Sequence, residues 1–181
     1  MPKSKWTLGI EPRHFCWIIK DHLAICERPG GFGENHRKVR REEEIQWIRN
    51  QGFTMVVSLL SSTHNLHAYD EFGLSYMHVP FHPGVENDVL TQQFFEKLSE
   101  SLAKGERIIM HEDNVSDFLI GIVAAFLYWG QFFNDATEAI TFTERLVGRQ
   151  IGADGRMIVK GVERLAPPTS PVKLPSRKKY V

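Results

Sequence analysis

The stretch Arg107-Ile108-Ile109-Met110-His111-Glu112-Asp113-Asn114-Val115-Ser116-Asp117-Phe118 decides how this chain folds. Residues 107–110, an arginine followed by the apolar run Ile108-Ile109-Met110, predict a buried strand. Residues 118–129 are apolar almost throughout, which predicts a buried helix. Between them lie seven residues, 111–117, that start with a histidine and contain three carboxylates: Glu112, Asp113 and Asp117. Ser116 or Asp117 is expected to cap the helix. The three acids suit the positive end of the helix dipole. Each also opposes an incoming phosphate dianion, by on the order of a few kcal/mol at partly buried separations. No lysine or arginine offsets them within the loop.

Working outward, the flanking segments alternate between strand and helix patterns. Phe15-Cys16-Trp17-Ile18-Ile19 and Leu23-Ala24-Ile25-Cys26, around Lys20-Asp21-His22, predict a hairpin that brings Cys16 and Cys26 close across the ladder. Arg28-Pro29-Gly30-Gly31-Phe32-Gly33 predicts a loop. A helix is expected over 39–51, stopped by Gly52, and a buried parallel strand over 55–60. Met77-His78-Val79-Pro80 predicts a further strand. Thr91 is expected to cap a helix running to residue 104, and two more helices are expected over 135–148 and 155–165. Strand–helix alternation implies parallel pairing through right-handed crossovers. Ligands then sit beyond the carboxyl ends of the strands, in the loops after Leu60, Val79 and Met110.

Composition narrows the classes. At 181 residues and 42% hydrophobic, the chain suits one ordinary domain with a real core. Twenty-two basic and 22 acidic side chains cancel, which argues against a dedicated nucleic-acid binder. Two cysteines exclude a disulfide-dense scaffold and a four-thiolate zinc site. No apolar run of signal-peptide length follows Met1-Pro2-Lys3-Ser4-Lys5-Trp6, and 118–129 is too short to span a bilayer. A cytoplasmic protein with buried, unpaired thiols and no cofactor is expected. Neutrality hides a split. Residues 165–181 carry Lys173, Arg177, Lys178 and Lys179 and no acid, so the rest of the chain is acidic. The expected organisation is a domain over 1–165 and a disordered, basic, Pro-rich tail over 166–181. Within that tail, Pro168-Thr-Ser-Pro171-Val-Lys173 has polyproline-ligand spacing, a candidate docking segment for an SH3-like domain or an acidic surface.

The chain resembles the dual-specificity, cysteine-based protein phosphatases, particularly the small atypical members. The resemblance runs from about Trp17 to Leu165. It is carried by Trp17-Ile-Ile-Lys-Asp-His-Leu-Ala-Ile-Cys-Glu-Arg-Pro29, by Trp47-Ile-Arg-Asn-Gln-Gly-Phe-Thr-Met-Val-Val-Ser58-Leu, and by Tyr76-Met-His-Val-Pro80-Phe. Arg107-Ile-Ile-Met-His111 and Val123-Ala124-Ala125-Phe126-Leu127 complete it. It implies an α/β, three-layer fold: a central mixed, mostly parallel sheet of about five strands flanked by helices. The family's phosphate loop reads His-Cys, five residues, Arg. Aligned on His111, its cysteine falls on Glu112, its arginine on Phe118 and its loop glycine on Val115. Its general-acid aspartate falls at His82 or Pro83. Nucleophile, phosphate-gripping guanidinium and proton donor are all replaced. Cysteine-phosphatase chemistry needs a low-pKa thiolate at a helix N-terminus and an Arg fork. Neither Cys16 nor Cys26 precedes a helix.

The expected function is therefore a catalytically inactive phosphatase-like protein, a pseudophosphatase that binds a protein partner or regulates one. The alternative is a repurposed hydrolase. His64, His67, His82 and Glu112 come from loops expected to share one sheet edge and could hold a metal, although their spacing matches no known motif. Glu112 alone could act as nucleophile or general base only with a partner acid and a group to hold the electrophile. Arg28 is the candidate cation for that pocket. Arg37, Lys38, Arg40 and Arg41 read as a solvated face at a helix start.

Overall fold

A computed structural model describes residues 8–32, 38–82 and 84–176. The strands are β1 (Cys16–Ile19), β2 (Leu23–Glu27), β3 (Met55–Ser58), β4 (Ser75–His78) and β5 (Ile108–Glu112). They form one sheet in the order β1-β2-β5-β3-β4. The β1–β2 hairpin is antiparallel and every other pairing is parallel. This is the mixed, mostly parallel five-stranded sheet expected from the sequence. Side chains of β2 alternate between its two faces: Leu23 and Ile25 enter one core, Ala24 and Cys26 the other.

Helices cover both faces. α1 (Lys38–Asn50) and α2 (Leu66–Glu71) close the smaller core through Ile45, Ile48, Ala68 and Tyr69. α3 (Asp88–Ala103), α4 (Asp117–Trp129), α5 (Ala136–Val147) and α6 (Ala153–Gly161) close the larger one. A 3-10 turn, Val162–Arg164, follows α6. α4 is buried around almost its whole circumference, which explains its unbroken apolar sequence. It runs so close to α6 that a Cβ on Gly121 would stand 2.6 Å from the Cα of Gly155.

Several expectations change in detail. α3 starts one turn earlier than the sequence suggests: Asn87 caps it by accepting from the Leu90 amide at 2.9 Å. The Thr91 hydroxyl instead donates back to the Asn87 carbonyl. α6 ends at Gly161, and the expected helix to residue 165 finishes as the 3-10 turn. The short helix α2 replaces an expected loop; it has no side-chain cap and enters through Asn65 in the left-handed region (φ 71°). The two thiols are not neighbours. Cys16 lies opposite Ile25, so Cys26 points to the other face. Cys16 donates to the Leu146 carbonyl at 3.4 Å, and Cys26 is sealed under α1, where burial pushes its pKa well up. Residues 166–174 are also not free, in contrast to the disorder expected there. The Ala166 carbonyl accepts from the Trp129 indole at 2.8 Å, the Val172 amide donates to Gly130, and Val172 and Leu174 pack on the larger core. Two apolar anchors and a buried indole donor outweigh the tail's polar composition. Arg177, Lys178 and Lys179 lie outside the described residues. No helix among the described residues is long and apolar enough to cross a membrane.

Candidate functional site

The carboxyl ends of β2, β3 and β5 open onto a cavity of about 340 Å³. Its walls include Arg28 from the β2–α1 loop, Ser61, Ser62 and His64 from the loop after β3, Glu112 at the end of β5 and Asp113 just beyond it. Phe81 and Phe118 close one side. The loops expected to converge do converge.

His111 ends the buried part of β5. It is 1% exposed and shares a 2.8 Å hydrogen bond with the Tyr69 hydroxyl through Nε2. With Nδ1–H directed at the Glu112 carbonyl, Nε2 accepts from Tyr69. Burial lowers the His111 pKa to about 4, and the charges of Arg28 and His78 act in the same direction. The ring is a neutral strut. An unfolded histidine titrates near 6.5, so between the two values the unfolded chain binds a proton that the fold refuses. Stability is complete above about pH 6.5 and falls as the pH drops toward 4. At pH 5 this single group removes on the order of 2 kcal/mol. Urea unfolding at pH 7 and pH 5 should show a loss of that size beyond the loss seen in His111→Gln. Equal losses in the two proteins would remove His111 from the account.

Each of the three loop acids has an internal partner. Asp113 meets the Arg28 guanidinium at 2.9 Å. The Arg28 side chain is 9% exposed and that of Asp113 41%, so the cation is the buried member. Glu112 accepts from the Ser116 hydroxyl at 2.7 Å, and the Ser116 oxygen accepts from the Leu119 amide at 3.2 Å. Ser116 is thus the cap of α4, one of the two candidates named from the sequence. Asp117 serves a different helix. It accepts from the Gly152 amide at 2.6 Å and the Gly155 amide at 2.9 Å, where α6 begins. Val115, which the resemblance aligns with the family glycine, packs partly on the larger core, and its carbonyl accepts from Arg149 at 3.1 Å. Phe118, which the resemblance aligns with the family arginine, packs edge-on against Phe81 with centroids 5.3 Å apart.

Arg28 owes its place to a buried polar network that sequence reasoning missed. Its Nε donates to the Gly31 carbonyl at 2.9 Å. Glu44, 1% exposed on α1, accepts from the Gly30 amide and from Arg40, each at 2.7 Å. Arg40 also reaches Glu27 at 3.3 Å. Arg40 therefore serves the interior, not the solvated face expected of it; Lys38, on the same helix start, pairs with Glu42 at the surface. Arg37 lies outside the described residues. Asn65 ties the same loop down by donating to the Pro29 carbonyl at 2.8 Å. Glu44 is one of three consecutive glutamates, and nothing in its spacing distinguishes it from Glu42 and Glu43.

The metal candidates separate. His64 lines the cavity with Glu112. His67 faces out on α2, paired with Glu71 at 3.0 Å. His82 and Asn114 line a second, adjoining groove, while Pro83 lies outside the described residues. His78 is engaged with the Leu60 carbonyl at 2.8 Å. Among the described residues, no three His, Cys, Asp or Glu side chains gather in a metal-binding group. The four residues named for a metal from the sequence are therefore not brought together, because α2 turns His67 away.

No family model matches the chain, and no curated protein matches its sequence. Solved structures do share its fold. Kinase-associated phosphatase, with its catalytic-site cysteine changed to serine, matches with a TM-score of 0.71 at 16% identity, covering 85% of this chain and 96% of that one. Tk-PTP in its active form gives 0.66 at 16% identity, over 83% of this chain and 97% of that one. Human DUSP28 gives 0.64 at 11% identity, over 86% and 96%. The chain has the fold of the dual-specificity and tyrosine phosphatases, as the motif order in the sequence implied.

Proposed function

We propose that this chain is a protein-binding or regulatory scaffold that keeps a cysteine-phosphatase fold without its chemistry. The supporting observation is the occupancy of residues 111–118. Where the sequence resemblance puts a thiolate stands Glu112, held by Ser116. Where the resemblance puts a guanidinium stands Phe118, packed on Phe81. Arg28, the buried cation nearest the cavity, is paired with Asp113. An incoming phosphate would have to displace one carboxylate and lie beside another. A few kcal/mol of repulsion per partly buried charge is enough to prevent useful binding. Neither remaining thiol offers a substitute nucleophile. Burial raises the pKa of Cys16 and of Cys26, which keeps both protonated.

The test is turnover of an aryl phosphate by purified protein. The expected rate equals that of the buffer blank and is unchanged by Glu112→Ala or by thiol alkylation. Hydrolysis that disappears in Glu112→Ala would establish a carboxylate-based enzyme and end the scaffold reading.

A further inference from the structure

Beside the former phosphate cavity runs a wider groove of about 530 Å³, between residues 81–82 and 84–88, the start of α4 and the outer face of α6. Its floor is apolar: Phe81, Phe118, Ile122, Ile158 and Leu165, with Met157 above it at 58% exposure. Val85, on the opposite lip, is 64% exposed. Exposed apolar side chains rimmed by polar ones mark surfaces that take a partner. The rim here is predominantly acidic. Glu86, Asp88, Glu112, Asp117 and Asp154 line it; among the described lining residues the cation is Arg164, and Arg149 stands behind Asp117 at 3.8 Å. Arg164 is already held by Asp88 at 2.8 Å and Glu86 at 3.3 Å. The first partner of Glu112 is a neutral hydroxyl. Asp117 accepts from two backbone amides and Arg149 offsets part of its charge, so Glu112 and Asp154 are the acids that carry the groove's negative potential.

Phe81, Glu112 and Phe118 belong to both the groove and the cavity, so the two are continuous. A segment lying in the groove passes directly over Glu112. We infer that the groove takes a basic peptide segment of a protein partner, in which lysine or arginine alternates with aliphatic or aromatic residues. The apolar side chains settle on Phe81, Phe118 and Met157, and a cationic head reaches Glu112. Charge complementarity selects this occupant. Clustered carboxylates in a partly dehydrated groove attract cations from solution and repel acidic or phosphorylated segments. The charge preference of a phosphatase cleft is thereby reversed. This inference rests on the scaffold reading and adds the class of partner.

The test is fluorescence anisotropy with a labelled peptide, Gly-Leu-Lys-Phe-Arg-Leu-Lys-Gly. Two controls accompany it, one with glutamate at every cationic position and one with glycine at every apolar position. The cationic-apolar peptide is expected to bind saturably at physiological ionic strength and to weaken as salt rises. Glu112→Gln and Asp154→Asn should each weaken binding by about fivefold, the size of a single exposed charge contact. Met157→Gln should also weaken it, while Glu100→Gln on α3 should leave it unchanged. Circular dichroism of each variant separates a lost contact from a lost fold. No saturable binding, equal binding of the acidic peptide, or indifference to both charge variants would overturn the inference. Aryl phosphate turnover on the same samples keeps the two failures apart. A silent peptide assay without turnover removes only the groove, whereas turnover dependent on Glu112 removes the scaffold as well.

Discussion

Glu44→Ala is expected to lower the free energy of unfolding by about 3–5 kcal/mol, the range found when one member of a buried ion pair is removed. The carboxylate is 1% exposed and takes hydrogen bonds from the Gly30 amide and Arg40, both at 2.7 Å. Its removal leaves a buried amide without an acceptor and Arg40 with Glu27 alone at 3.3 Å. Against a typical stability of roughly 5–15 kcal/mol, that is a large share of the total. The site suffers too, because Gly30 and Gly31 hold the turn in which Arg28 Nε is fixed. Glu44→Gln keeps an acceptor but loses the charge, so a loss of about 1–2 kcal/mol is expected from it. Urea unfolding of the three proteins gives the order. A Glu44→Ala loss below about 1 kcal/mol would mean that water replaces the carboxylate and that the network is not structural.

The second large effect lies where α4 crosses α6. Alanine in mid-helix is ordinarily better than glycine by about 1 kcal/mol, so propensity alone makes Gly121→Ala stabilising. Geometry reverses the sign. The added Cβ would stand 2.6 Å from Gly155 Cα and 2.8 Å from its carbonyl oxygen. Those are backbone atoms and cannot rotate away. Nor can α6 retreat freely, since Asp117 holds its first turn through the Gly152 and Gly155 amides. Forced overpacking costs about 1–3 kcal/mol, and Gly121→Val should cost more. Gly155→Ala meets the Asp117 carbonyl at 2.7 Å and Ile151 at 2.4 Å and should be destabilising as well. The pair should not be additive, because either substitution alone separates the helices. Gly52→Ala is the control. Nothing lies within 4 Å of a Cβ there, so its cost is confined to the left-handed backbone (φ 77°). Thermal unfolding that finds Gly121→Ala no worse than Gly52→Ala would contradict the close crossing.

Most of the fold was legible because its signals are local. Apolar runs of four to six residues, helices of one apolar face and Gly stops mark the strands and layers. The motif order around Trp17, Trp47, Pro80 and His111 then fixed the architecture. The site was legible as far as its loop, including Ser116 as a cap. Its partners were not, for a physical reason. Arg28 and Asp113 are 85 positions apart, and Asp117 reaches amides 35 and 38 residues away, so no periodicity links them. Glu44 hides between identical neighbours because burial depends on which face of α1 turns inward, and a helix rich in charge gives that face little contrast. α2 escaped notice because six residues without a side-chain cap carry too little pattern, and with it went the true environment of His67. The tail's composition spoke for disorder, yet Val172 and Leu174 suffice to lay it on the core.

Titration with inorganic phosphate, followed by thermal unfolding of the wild type, Asp113→Ala and Arg28→Gln/Asp113→Ala, tests the central claim most directly. If the chain's own carboxylates fill the former phosphate site, millimolar phosphate leaves the wild type unmoved. Asp113→Ala, with Arg28 buried and unpaired, starts less stable and recovers part of that loss as phosphate binds the guanidinium. The double variant shows no recovery. Saturable stabilisation of the wild type by phosphate, or identical responses from all three proteins, would contradict the account.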